Sequence, residues 1–210
     1  MTGRDTQAEI YRDGAYGRRR AVPIGPDALA EAARRAMSPT AAAYICGSAG
    51  AETTADANRA AFDRWRIVPR MLVDVSRRDT GIELFGRRHP TPFLTAPVGV
   101  LEMVDPRADL AVAEAAAAVD VPMIFSNQAS VTMEDCAAAM GDAARWFQLY
   151  WSDSIALVDS LVARAEAAGC GAIVVTLDTH MLGWRPRDLD AGYLPFARGQ
   201  GIAQYTSDPV

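Results

Sequence analysis

Two histidines and three cysteines are all that 210 residues offer of the side chains that most often bind transition metals or act as nucleophiles. Cys46, Cys136 and Cys170 are far apart, odd in number and form no Cys-x-x-Cys pair, so neither a zinc site nor a disulfide framework is indicated. A reducing cytoplasm is the expected compartment. No apolar run reaches the roughly 18 residues of a membrane span, and the first residues, MTGRDTQAEIYRDG, lack the apolar stretch of a secretory signal. Basic residues are scarce in runs. Arg18-Arg19-Arg20 is a short cluster in a chain of net charge -5, so nucleic acid is not an expected partner and the triplet reads as a solvated patch.

What the chain does have is apolar substance: 50% of its residues, enough for one sizeable core. Residues 1–25 are polar, with little periodicity, and read as an extended arm. Residues 26–92 form a helical leading segment and a hairpin. Helices are expected over Asp27–Met37, Thr40–Cys46 and about Thr53–Trp65, with Thr53 or Thr54 as the cap of the third. Ile82–Phe85 and Arg87–His89 flank Gly86 as a hairpin covering one end of the repeating part that begins at residue 93, and His89 beside Pro90 is expected at the surface.

From residue 93 to 210 the pattern repeats. Strands are read at Phe93–Ala96, Val121–Phe125, Ala143–Tyr150 and Ala172–Thr176. Helices lie between them at Ala108–Val119, Thr132–Met140 (capped by Thr132, with Asp135 at its third position) and Asp153–Ala168 (capped by Asp153). The last strand, Ala172-Ile173-Val174-Val175, is β-branched and reads as buried on both faces. Alternation at about 25 residues implies a parallel sheet with right-handed crossovers. Every strand ends in small or polar residues: Pro97-Val98-Gly99, Ser126-Asn127-Gln128, Gln148 with Tyr150, and Thr176 with Asp178. Chemistry at successive strand ends fits a TIM-type (β/α)8 barrel better than a doubly wound sheet. Only four such units fit, where a full barrel has eight and about 250 residues. The loop-like stretch after the fourth strand, with Gly192, Pro195, Gly199 and Gly201, is where the chain is expected to stop. Gly199-x-Gly201 has no strand before it and is discounted as a dinucleotide loop.

Several strings occur in order from about residue 40. They are Tyr44 with Gly47-Ser48-Ala49-Gly50-Ala51-Glu52, Asn58 to Phe62, Pro69 to Ser76, Ala96-Pro97-Val98-Gly99-Val100, Phe147-Gln148-Leu149-Tyr150, Thr176-Leu177-Asp178-Thr179 and Leu182-Gly183-Trp184-Arg185-Pro186-Arg187-Asp188. Together they resemble the N-terminal half of the FMN-dependent 2-hydroxy acid oxidases and dehydrogenases. The Gly-Trp-Arg-Pro-Arg-Asp string and the closing Tyr205 to Val210 resemble the lactate 2-monooxygenase branch.

The resemblance implies FMN as cofactor, with the main chain of Pro97, Val98 and Gly99 against the flavin and Ser126, Gln148 and Thr176 hydrogen-bonded to its edge. It implies Tyr44 and Tyr150 hydroxyls directed at the substrate and Arg185 holding the substrate carboxylate. Asp178 would orient a histidine base. The reaction implied is oxidation of a short L-2-hydroxy acid with O2, in a homo-oligomer, tetramer or octamer. The family's base, second arginine, flavin-facing lysine and phosphate loops belong to strands not read here, and His180 has no matched partner. The competing expectation is a truncated, catalytically incompetent chain. A different phosphate-handling barrel, such as an isomerase or aldolase, keeps the fold but loses these strings.

Overall fold

The computed structural model describes residues 3–210, which fall into two compact units, the first ending at Gly47 and the second spanning Ser48–Val210.

The first unit is helical. Helix α1, Gly3–Ala15, occupies the stretch expected as an extended arm. It holds no proline, carries Asp5 in its first turn and Arg12 in its last, and so complements its own dipole. Helices α2 (Pro26–Ala36) and α3 (Pro39–Cys46) each open on a proline, and the Ser38 hydroxyl caps α3 by accepting from Ala41 N at 3.2 Å.

The second unit begins with α4, Thr53–Ala61. Neither Thr53 nor Thr54 caps it. Glu52 occupies that position with φ 63°, and its carboxylate accepts from Ser48 N and pairs with Arg187 at 2.5 Å. Strands β1 (Ile82–Leu84) and β2 (Arg87–His89) form the expected antiparallel hairpin, Ile82 opposite His89. His89 is 3% exposed rather than on the surface. The hairpin lies against the beginning of a later strand: Phe85 meets Trp146 edge-on at 5.2 Å, and Arg87 donates to Asp142 O at 3.2 Å.

The α/β part comprises, in chain order, α5 (Ala108–Ala118), β3 (Met123–Phe125), α6 (Met133–Met140), β4 (Arg145–Tyr150), α7 (Ile155–Ala167) and β5 (Ile173–Thr176). These strands form one parallel sheet in the order β3-β4-β5. Residues 93–96 are not a strand. Thr95 makes a single parallel bridge to Met123, and Thr95 N donates to Pro122 O at 3.0 Å. Pro92 and Pro97 bracket the segment and have no N–H to extend a ladder. The three-stranded sheet is open, so the architecture is partial α/β with no closed barrel among the described residues. Strand β5 is half-buried rather than enclosed on both faces, because it is the sheet's edge; Val175 is 44% exposed. Helix α7 is capped by Ser154, which accepts from Leu157 N, and not by Asp153.

Met123, Phe125, Phe147 and Leu149 of the sheet pack on Met133, Cys136, Val158 and Leu161 of α6 and α7. This core fixes one sheet face and leaves Gln148 and Tyr150, alternate residues of β4, for the other. The final stretch is not structureless. It holds α8 (Pro186–Ala191), a 3-10 turn at Phe196–Arg198 and α9 (Ala203–Thr206). No helix among the described residues is long and apolar enough to cross a membrane.

Candidate active site

The register of the parallel sheet places Gln148 opposite Val174 and Tyr150 opposite Thr176. Gln148 is 1% exposed, and both ends of its amide are engaged. Its Nε2 donates to Thr176 Oγ1 at 2.9 Å, and its Oε1 accepts from Asn127 N at 3.0 Å and faces Ser126 Oγ at 3.5 Å. Ser126 Oγ also accepts from Gln128 N at 3.0 Å. The Asn127 side chain continues where β3 stops pairing: its Oδ1 accepts from Tyr150 N at 2.8 Å. One hydrogen-bonded chain therefore links the ends of all three strands.

The segment 97–100 joins this chain through Gln128, whose carbonyl accepts from Val100 N at 2.9 Å. A Cβ on Gly99 would stand 2.9 Å from both the carbonyl O and the Cβ of Gln128, so packing between the two loops demands glycine there. Val100 is buried with φ 58°, a costly conformation for a β-branched residue. Pro97 and Gly99 are half-buried and Val98 is exposed, which leaves an accessible ledge beside the polar chain.

The structure thus brings together Pro97, Val98, Gly99, Ser126, Gln148, Tyr150 and Thr176. Asp178 is exposed and accepts from Thr179 Oγ1 at 3.1 Å. Arg185 sits at the N-cap position of α8, with Nε 2.5 Å from Asp188 Oδ2. Its charge, together with the closer Arg187 and the Ser48 N–H, holds the Glu52 carboxyl below its ordinary range; the Ser48 hydrogen bond contributes most. Residues 48–52 and 184–187 are further fastened by Gly50 N donating to Trp184 O at 2.8 Å. Tyr44 is half-buried on α3 in the first unit. His180 is exposed in the turn after β5.

Sequence reasoning assigned no role to Asn127, Gln128 or Tyr205. Asn127 is fully buried and its Nδ2 has no partner; Gln128 Oε1 is likewise buried and unpartnered. Each such atom costs about 1–3 kcal/mol. Gln128 Nε2 donates to the Tyr205 hydroxyl at 3.0 Å. Burial raises the Tyr205 pKa, and this hydrogen bond opposes the rise. The signal available in sequence was three consecutive polar residues after an apolar strand. Burial pushes the Cys136 and Cys170 thiols up to about 12 and about 11, which keeps them protonated and unreactive. No cluster of three or more metal-ligating side chains occurs among the described residues.

Residues 33–209 match the family described as FMN-dependent dehydrogenase. An FMN-dependent alpha-hydroxy acid dehydrogenase of Penicillium citrinum is 40% identical over 205 residues, 97% of this chain and 51% of its own length. An L-lactate oxidase of Lysinibacillus sphaericus is 46% identical over 167 residues, 80% of this chain and 43% of that protein. Among solved structures, a mandelate oxidase with bound (S)-2-phenylpropionate superposes with TM-score 0.77 at 38% identity, over 87% of this chain and 54% of that one. The chain spans about half the length of the curated relatives it matches.

Proposed function

Since this chain belongs to the FMN-dependent dehydrogenase family, we propose that it contributes the flavin-binding strand ends of an enzyme oxidising a short, lactate-like L-2-hydroxy acid with O2 as acceptor. The observation that carries the reading is the buried chain from Ser126 and Asn127 through Gln148 to Thr176. The residues fit FMN by their chemistry. An isoalloxazine edge presents both donors and acceptors, and the loop holds one buried donor, Asn127 Nδ2, and one buried acceptor, Gln128 Oε1, without partners. Thr176 Oγ1, having accepted from Gln148, retains its own proton to donate.

When bound, FMN supplies the acceptor for the two electrons removed from the substrate carbon. The protein's part is to bind and orient. Pro97, Val98 and Gly99 give a main-chain ledge, and Ser126, Gln148 and Thr176 fix the flavin edge. The Tyr150 hydroxyl steadies the substrate oxygen. Arg185, once released from Asp188, holds the substrate carboxylate in its planar fork. Asp178 orients an imidazole that takes the substrate proton. Tyr44 is given the same role as Tyr150 on resemblance alone. Residues 93–210 are read as the first four βα units of a (β/α)8 barrel, residues 26–92 as its leading segment and 1–25 as an N-terminal element. The proposed assembly is a cytoplasmic homo-tetramer or octamer.

The similarity to an L-lactate oxidase supports a lactate-like acid. The Gly183-Trp184-Arg185-Pro186-Arg187-Asp188 string favours the monooxygenase course, in which lactate and O2 yield acetate, CO2 and water. A second reading is that these 210 residues alone do not turn over. The open sheet and the positions of His89 on β2 and His180 in an exposed turn favour it.

The test is an FMN titration with subsequent anaerobic addition of L-lactate, watched in the visible spectrum. Bound flavin that bleaches supports turnover by this chain, and bound flavin that does not bleach supports the second reading. Absence of binding, or equal binding by Gln148→Leu, removes the assigned flavin site. Where bleaching occurs, Arg185→Met should weaken lactate binding roughly tenfold or more.

A further inference from the structure

The last described turns lie on the loop after β3 through directed polar contacts. Ala203 N donates to Ala129 O at 3.2 Å. Gln204, with no exposed surface, accepts from Met133 N and donates to Val131 O, both at 3.2 Å. The Tyr205 hydroxyl accepts from Gln128 Nε2 at 3.0 Å. Three consecutive residues thus match donors and acceptors of residues 128–133, where an apolar segment would satisfy none of them. At the near end Gly201 N donates to Glu102 Oε1 at 2.8 Å, and a Cβ there would meet Val100 Cγ2 at 2.6 Å.

The far end is tied down by one guanidinium. Arg164 of α7 donates from Nη1 to Gln204 O at 2.7 Å and to Asp208 Oδ2 at 2.9 Å, and from Nη2 to Ser207 Oγ at 2.8 Å. Its remaining donors hold Glu134 of α6. The Asp208 side chain is 1% exposed and also accepts from Ser160 Oγ at 2.9 Å. A half-buried arginine whose donors are all engaged fixes one geometry and is costly to release.

We propose that segment 201–208 is a clasp holding the 126–131 loop in place, with Gln204 and Tyr205 as positioning residues and Arg164 as the anchor. The clasp stands on these contacts alone; its consequence for FMN rests on the function proposed above.

Amide hydrogen exchange of the full chain, read by segment, tests this without cofactor. Gln204→Ala should speed exchange in 126–131 by about tenfold or more, with residues 145–150 and 155–167 unchanged within about twofold. Arg164→Met should speed exchange in both 126–131 and 201–208. Should Gln204→Ala fail to fold, Tyr205→Phe removes one hydroxyl and should still loosen the loop about threefold. Loss of protection in 201–208 with 126–131 unchanged overturns the clasp, and so does a uniform rise in every segment. FMN affinity of the same variants, from flavin fluorescence, separates the two ideas. A loosened loop with unchanged FMN affinity keeps the clasp and sinks the flavin role of that loop.

Discussion

Asp109 is a carboxylate with 1% of its surface exposed that accepts from Ser130 N at 2.8 Å and Val131 N at 3.1 Å. Burial raises its pKa, the loop N–H bonds oppose that, and the nearby Glu102 adds to the rise. The folded state therefore holds this proton more tightly than the unfolded chain, so the favourable contribution is complete below the unfolded value and is lost as pH rises through the folded one. Asp109→Asn retains an acceptor without the charge, so it should gain stability relative to the parent between pH 4 and pH 7, measured by urea unfolding at both. Asp109→Ala deprives two loop N–H groups of their acceptor and should cost about 2 kcal/mol or more at either pH. A parent-to-Asn difference that does not change with pH would refute the assigned titration. Asp109 and Gln204 both hold Val131 of this loop, through its N–H and its carbonyl respectively, and neither was visible in sequence. One is an acid near the start of a helix, the other a polar residue in a glycine-rich tail, and nothing local distinguishes either from a solvated side chain.

Helix α6 has only eight residues, too few to stand alone in water. Met133, Cys136, Ala137 and Met140 supply one buried face at helical spacing. Its start is fixed by Thr132, whose Oγ1 accepts from Asp135 N at 3.2 Å and donates to Asp135 Oδ2 at 2.8 Å. Thr132→Ala should lower stability by about 1 kcal/mol, seen as a shift in the urea midpoint at unchanged slope. A shift below about 0.3 kcal/mol would mean core packing alone sets the helix start. Elements of this kind were legible because their signals are local: apolar period and turn residues mark α5, α6, α7, β4 and the hairpin, and the cap read at Thr132 holds for α6 while that of α7 falls on Ser154 instead of Asp153. Residues 93–96 misled because β-type composition says nothing of whether flanking prolines permit a ladder. Helix α1 was missed because its pattern is polar throughout. The polar strand ends Ser126, Gln148 and Thr176 were legible as neighbours because their positions derive from strand register. Asp178 and Arg185 were legible only as residue types; their settings depend on Thr179 and Asp188 rather than on the strand.

At the scale of the whole chain, the open sheet sets the behaviour. Strand β5 is an edge of the sheet among the described residues, and beyond it Leu177, Met181, Leu182 and Trp184 are 85%, 73%, 68% and 75% exposed, four large apolar side chains close together in sequence. Such an edge is a template for another strand, and exposed apolar area of this kind drives association. The 210-residue chain should therefore self-associate with rising concentration, visible as an increasing weight-average mass in sedimentation velocity. Val175, at 44% exposure on β5, is the position to interrupt this. Lysine there keeps the backbone ladder to β4 but places a charge where an added strand would pack, so Val175→Lys should shift the profile toward monomer. Because Gln148 and Thr176 are joined through side chains on the register already fixed by Phe147 and Tyr150, the substitution should leave FMN binding intact if the chain binds it. Association unchanged by lysine would locate the sticky surface at Leu177–Trp184 instead of the strand edge, and Leu182→Glu would then be the variant that restores the monomer.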